Sequence, residues 1–442
     1  MKNKGTHRLI LLTIIVLSFI YFILGVLYGE PHTADSTEYT YQAHNISQHY
    51  TSYCDAYQKP LNPSYYTLRP PGYSVFIAIV NFISQHIRFL LFIQTLLCII
   101  SLYIAYQLTQ ASEKINSKVW LLFLVLFPSQ FILHQMVMSE ALMQVVLITS
   151  IYCILQFILQ KKIKYWAYAN CLLSITLLIK PVLIYFWLPM FIFSAIIYWK
   201  LLPDWKVIAW SSLLGITALG WSTRNYYHTG YFHFSSIKSF YLLTCPVYAL
   251  IQNEKGIIAA DSVRYTLQAQ AAQLHDFKTS DAYLLNQCYA IINTYKKQFM
   301  IYQIKGMINF FIDPGRTDMM HFIPMNDQQQ EGFIHLYKTK GIEGIFNYFK
   351  NINPIVFILL FLTTIASIVL TILFLLWILY GDMHWLFRLF ILLIVGYFAA
   401  MSGITAYARF RMPIFPLLLM GTTTIYNLRK KTKTNLYRLF SL

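Results

Sequence analysis

Long apolar runs separated by short polar breaks dominate the chain, and their lengths set the first expectation. A helix that crosses a bilayer needs roughly 20 apolar residues, fewer where neighbouring helices shelter its ends. On that rule the sequence predicts about ten spans, over residues 9–28, 87–108, 119–136, 141–159, 166–179, 182–199, 207–221, 355–380, 386–406 and 412–426. Residues 75–83 are also apolar, but the run is short and follows Pro70-Pro71-Gly72, which predicts an interfacial helix. The expected fold class is an all-α polytopic membrane protein, with about ten transmembrane helices plus interfacial ones.

Composition agrees with that picture. The 442 residues are 57% hydrophobic and 12% charged, about half the charge of an ordinary soluble domain. A net charge of +17 raises the question of a nucleic-acid partner. The basic residues fall in short blocks beside apolar runs, however, so they read as a topology signal, and no nucleic acid is expected.

With the N-terminus inside, the short cytoplasmic segments carry Lys2/Lys4/Arg8, Lys114/Lys118, Lys161/Lys162/Lys164, Lys200/Lys206, Arg388 and a basic tail from Arg429 to Arg438. Both termini are then cytoplasmic, and the first run reads as a retained signal anchor. The long loops 29–73 and 224–353 face outward, which suits a multi-pass protein of a bacterial inner membrane. Three regions follow: an N-terminal transmembrane module (1–223), an extracytoplasmic segment lying on the outer face (224–353), and C-terminal transmembrane helices with the tail (354–442). Six cysteines without a CxxC pair indicate neither a zinc site nor a disulfide framework, with a Cys245–Cys288 bridge left open.

The polar residues that topology leaves unexplained fall on the outer side. They are Asp35 and Glu38 after the first span, Arg69, His134 and Glu140, Lys180, Arg224-Asn225, and Arg409/Arg411. Ionisable groups at a membrane edge are costly unless paired or wet, so such a gathering is a site hypothesis. Carboxylates and fixed cations facing one cavity suit a reaction that removes a proton and releases an anion. Transfer from a phospholipid-like donor is one such reaction.

Several motifs in order resemble one superfamily. They are Ala34-Asp35-Ser36-Thr37-Glu38-Tyr39, Arg69-Pro70-Pro71-Gly72-Tyr73, Pro128 with Met138-Ser139-Glu140-Ala141-Leu142, Ile179-Lys180-Pro181, Thr223-Arg224-Asn225-Tyr226 with Gly230 and Ser235-Ser236, and Ala408-Arg409-Phe410-Arg411-Met412-Pro413. Together they resemble the GT-C membrane glycosyltransferases, close to glycosyltransferase family 39, whose members use polyprenyl-phosphate sugars. Family members carry adjacent acids in the first outer loop, whereas here Ser36 follows Asp35 and the next acid is Glu38.

The resemblance implies an inverting transfer from a polyprenyl-phosphate-sugar donor to a glycan, lipid or protein acceptor. It implies Asp35 as general base, with Glu140 and Glu38 beside it. Arg224, Lys180, Arg411 and Arg409 would hold the donor phosphate, and Arg69, Tyr73 and Asn225 would contact substrate. Each has a plainer reading. Asp35 and Glu140 suit helix N-termini, basic residues at span ends snorkel to lipid headgroups, and Tyr73 suits an interfacial anchor.

No cofactor is required. A divalent metal at His32, His44 or His134 with the acids has no supporting ligand spacing. No Gly-rich nucleotide loop occurs. Two other classes share these features: a flippase or transporter of a lipid-linked sugar, and a ligase or polymerase acting on undecaprenyl-diphosphate glycans.

Overall fold

The computed structural model describes residues 4–112, 117–274, 276–319, 322, 341–343 and 354–425. Lys2, Lys114, the basic tail and most of 320–353 lie outside them.

The described residues form helices and turns without a strand. Five helices are long and apolar enough to cross a membrane: His7–Tyr28, Ile87–Ala111, Glu140–Gln160, Val356–Tyr380 and Trp385–Thr405. Two further pieces, Ser117–Val125 and Ser129–Gln135, pass the same test together but are bent by 69° at their junction, as in a broken span or a re-entrant loop. The chain thus has the helices of a multi-pass membrane protein, but the expected ten full-length spans are not seen among the described residues.

The runs that do not form long straight helices have identifiable causes. Pro128 follows a break after α5 (Ser117–Val125) and caps the four-residue α6 (Ser129–Ile132), because proline lacks the N–H needed to continue a helix. The run expected at 412–426 carries Pro413 and Pro416 and forms a chain of short turns, Ala408–Arg411 through Leu419–Thr423, almost wholly buried. The run expected at 207–221 divides at Ser212 into Trp205–Ser211 and Leu213–Thr229. The apolar helices Ile163–Ile179 and Trp187–Lys200 are shorter than full spans.

One hydrophobic core runs through the bundle. α1 (Lys4–Tyr28) packs on α4 (Ile87–Ser112), and α7 (Glu140–Gln160) packs between α4 and α8 (Ile163–Ile179). A smaller cluster belongs to residues 237–295, where Leu243, Val247, Ile251, Ala260, Leu267 and Cys288 form a separate core. All six cysteines are free, so the Cys245–Cys288 bridge is not made.

Two shorter helices, joined to the charged loop segments, sit at one end of the bundle. α2 (Ala34–His49) begins with a reciprocal cap in which Ser36 Oγ accepts from the Thr33 N–H at 2.8 Å. α3 (Gly72–Ile83) buries Tyr73, Ile77 and Val80 on one helical face and exposes Ile79, Phe82 and Ile83 on the other, as an interfacial helix should.

The start of α3 presses on the end of α8. A Cβ at Gly72 would lie 2.7 Å from the Leu178 carbonyl oxygen and 2.9 Å from the Ile179 nitrogen, backbone atoms that cannot move aside. Only glycine permits this approach, which brings Arg69 and Lys180 to the same end of the bundle. Gly72→Ala should therefore destabilise the protein by about 1–3 kcal/mol, read as a lower unfolding midpoint in detergent; an unchanged midpoint would contradict this account of the contact.

Candidate active site

Five chain segments that are far apart in sequence deliver charged side chains to one place. Asp35 and Glu38 are three residues apart, so they share a face at the start of α2. Arg69 precedes α3, Glu140 opens α7, and Lys180 ends α8 in an extended conformation imposed by the following Pro181. Arg409 comes from the short turn Ala408–Arg411.

Their side chains form a continuous network. Arg69 donates from Nη2 to Asp35 Oδ1 at 2.8 Å and from Nε to Glu38 Oε2 at 2.5 Å. Arg409 donates from Nη2 to Asp35 Oδ2 at 2.5 Å and from Nε to Glu140 Oε1 at 2.6 Å. Lys180 Nζ reaches the same Glu140 oxygen at 2.7 Å. Three carboxylates meet three cations, so the cluster is neutral as a whole, and its burial becomes affordable only as a unit.

A second layer fixes these groups. Ser36 Oγ donates to the Val137 carbonyl at 2.8 Å, and Tyr39 Oη donates to Ser139 Oγ at 3.2 Å, which docks α2 on the turn before Glu140. Gln94 Nε2 holds the His134 and Met136 carbonyls of that turn at 2.9 and 2.8 Å, and Tyr73 Oη donates to Gln94 Oε1 at 2.6 Å. Burial pushes the Tyr39 phenol up to about 12, so it stays a neutral donor.

The electrostatics follow from these contacts. Burial alone would raise the Asp35 carboxyl, but the Arg69 and Arg409 guanidiniums outweigh it and hold Asp35 below the usual carboxylate range. Burial lowers the Lys180 ammonium, and Glu140 opposes that shift.

The remaining expected site residues are employed elsewhere. Arg411 is buried and donates to the Phe310, Phe311 and Asp313 carbonyls, closing the C-terminus of the helix Lys296–Ile312. Asn225 is buried and donates to the His233 and Phe234 carbonyls at 3.1 and 2.8 Å. Arg224 donates to the Tyr66 carbonyl at 2.5 Å and lies over the Trp221 ring. Tyr73 is fully buried against Tyr39 and supports the turn. His134 is buried with Nδ1 2.7 Å from the Gln130 carbonyl oxygen. Among the described residues no three His, Cys, Asp or Glu side chains group as a metal site.

Sequence reasoning missed two contributors. Gln94 interrupts the apolar run 87–108, and that interruption was its signal. Asp318, on Arg316–Met319, is buried near Ser129, and burial raises its carboxyl to about 7 against the pull of Arg409 and Arg411. Nothing in its local sequence marks it.

No protein-family model matches the chain, and no curated protein does.

The two aspartates predict opposite pH effects on stability. Asp35 is held low, so its pairing stabilises the fold above about pH 4 and that contribution is lost as pH falls through the lower folded value. Acidification below about pH 4 should lower the unfolding midpoint, and Asp35→Asn should flatten that part of the profile. Asp318 is held high at about 7, so its contribution is full below the ordinary aspartate value and lost as pH rises toward neutrality. Asp318→Asn should therefore gain on the wild type as pH rises from about 4 to 8. Parallel profiles for the variants and wild type would contradict both assignments.

Proposed function

We propose that the chain is a membrane glycosyltransferase that moves a sugar from a polyprenyl-phosphate-sugar donor to an acceptor at the extracytoplasmic face. The observation that carries this reading is the meeting of Asp35, Glu38 and Glu140 with Arg69, Lys180 and Arg409 at one end of an apolar bundle. An anionic lipid headgroup can approach such a place along the bilayer surface, and its leaving group needs cations. The acceptor hydroxyl needs a base, which Asp35 supplies, being the partly exposed acid that joins both arginines.

In the reaction the acceptor oxygen attacks the anomeric carbon as the bond from that carbon to the phosphate oxygen breaks, with inversion. The proton passes to Asp35, and the electron pair leaves on the lipid phosphate, which Arg409 and Lys180 hold. Arginine grips a phosphate through two parallel N–H groups, lysine as a point charge. Arg411, Asn225 and Arg224 hold backbone carbonyls, and Tyr73 supports the turn before Glu140 through Gln94. The site lies in a bacterial inner membrane with both termini cytoplasmic, and the acceptor is a glycan, a lipid or a protein.

The broken span favours a second reading. Interrupted helices are common in transporters, and the 69° bend next to the charged cluster would suit a flippase of a lipid-linked sugar. Radiolabelled undecaprenyl-phosphate-sugar donors, offered to the protein in membranes, separate the two. Label should appear on an acceptor, and Asp35→Asn should cut the rate by about 10²- to 10⁴-fold. Label that crosses the bilayer unchanged, with or without Asp35, would replace the transferase with the flippase.

A further inference from the structure

In the geometry described, Asp35 is poorly suited to accept a proton. One oxygen takes Arg69 Nη2 and the other takes Arg409 Nη2, and together the two guanidiniums keep the carboxylate strongly anionic and weakly basic. Glu38 touches Arg69 from the other side, and Tyr39, Glu140, Lys180 and Cys245 are the further ionisable groups around the acid. A transferase that relied on Asp35 in this state would have a base tuned in the wrong direction.

The two carboxylates that share Arg409 are not equivalent. The Glu140 side chain is 1% exposed and its Oε1 binds both Lys180 Nζ and Arg409 Nε. Parting it from Arg409 would leave a carboxylate shut off from water on Lys180 alone, with nothing to replace the lost donor. The Asp35 side chain is 27% exposed, keeps Arg69 if Arg409 leaves, and can turn toward water. Arg409 thus has one edge anchored and one edge, Nη2, whose partner can be exchanged.

A phosphodiester is an anion with two free oxygens of the spacing a guanidinium reads. Resting on the transferase reading above, we infer that the donor phosphodiester displaces Asp35 from Arg409 Nη2, and that this exchange frees Asp35 to act as the base. One anion replaces another at Arg409, so the cation keeps a partner throughout. Freed Asp35 has lost a cation and gained a neighbouring negative charge, and both changes raise its affinity for a proton. The acceptor's proton then has a receptive carboxylate only when the leaving group is already seated. Glu140 holds the guanidinium in place during the exchange.

The test uses the whole protein in detergent and decyl methyl phosphate, a diester with a single charge across the working pH range. Carbodiimide with glycinamide converts free, protonatable carboxyls to amides, and peptide mass spectrometry reads Asp35 and Glu140 separately. Binding is followed by thermal shift, with decanol as the uncharged control. The diester should raise Asp35 labelling about tenfold or more, the gain expected when a carboxylate loses one guanidinium. Decanol should not, and Glu140 should stay unlabelled. Arg409→Gln should raise Asp35 labelling without any diester. Glu140→Gln leaves Asp35 as the only carboxylate on Arg409, so the diester concentration for half-maximal labelling should rise. Diester binding with flat or reduced Asp35 labelling would overturn the exchange while leaving the transferase standing. Absence of diester binding would overturn the exchange and the donor-phosphate reading together.

Discussion

A guanidinium shared by two carboxylates, Arg409 between Asp35 and Glu140, is the contact on which the charged end of this bundle depends. Charges at a membrane edge persist only if they are paired, and here no pair is closed on itself. Asp35 passes from Arg409 to Arg69, Glu140 from Arg409 to Lys180, and Arg69 on to Glu38. Removing Glu140 takes from Lys180 its carboxylate, and removing Arg69 takes from Glu38 its cation, whereas the other members each leave their neighbours one remaining partner. The network therefore ties α2, the loop before α3, α7, α8 and the Ala408–Arg411 turn into one cooperative unit.

The turn between Gln135 and Glu140 positions that unit. Gln94 and Ser36 satisfy its carbonyls, and Glu140 emerges from it at the head of α7. Irregular backbone inside an apolar bundle is tolerated where protein groups replace water as hydrogen-bond partners. In the same way, prolines 413 and 416 keep the segment after Arg411 in short turns folded into the core.

Apolar run length and the distribution of polar residues made the helical membrane class legible, because both follow from solvent alone. Run length does not reveal where a run is folded against protein rather than lipid, so 119–136, 207–221 and 412–426 read as spans although they are bent, divided or broken. The charged residues Asp35, Glu38, Arg69, Glu140, Lys180 and Arg409 could be singled out because each lacks a topological reason. Arg224, Arg411, Asn225 and Tyr73 carry the same signal and spend it on backbone carbonyls and a buried amide. A residue type announces what it can bond, and only the fold decides whether a ligand or the chain takes the bond. Asp318 shows the converse: its burial comes wholly from distant segments, so its sequence neighbours are uninformative.

The central claim is that Arg409 and Lys180 receive a lipid phosphate at the network that includes Asp35. A cryo-electron microscopy structure of the chain with a non-transferable polyprenyl phosphodiester tests it directly. The account predicts the phosphate on Arg409 and Lys180, with Asp35 turned from Arg409 toward the anomeric carbon. A phosphate seated elsewhere, for example at Arg224, with the Asp35–Arg409–Glu140 contacts intact, would contradict it.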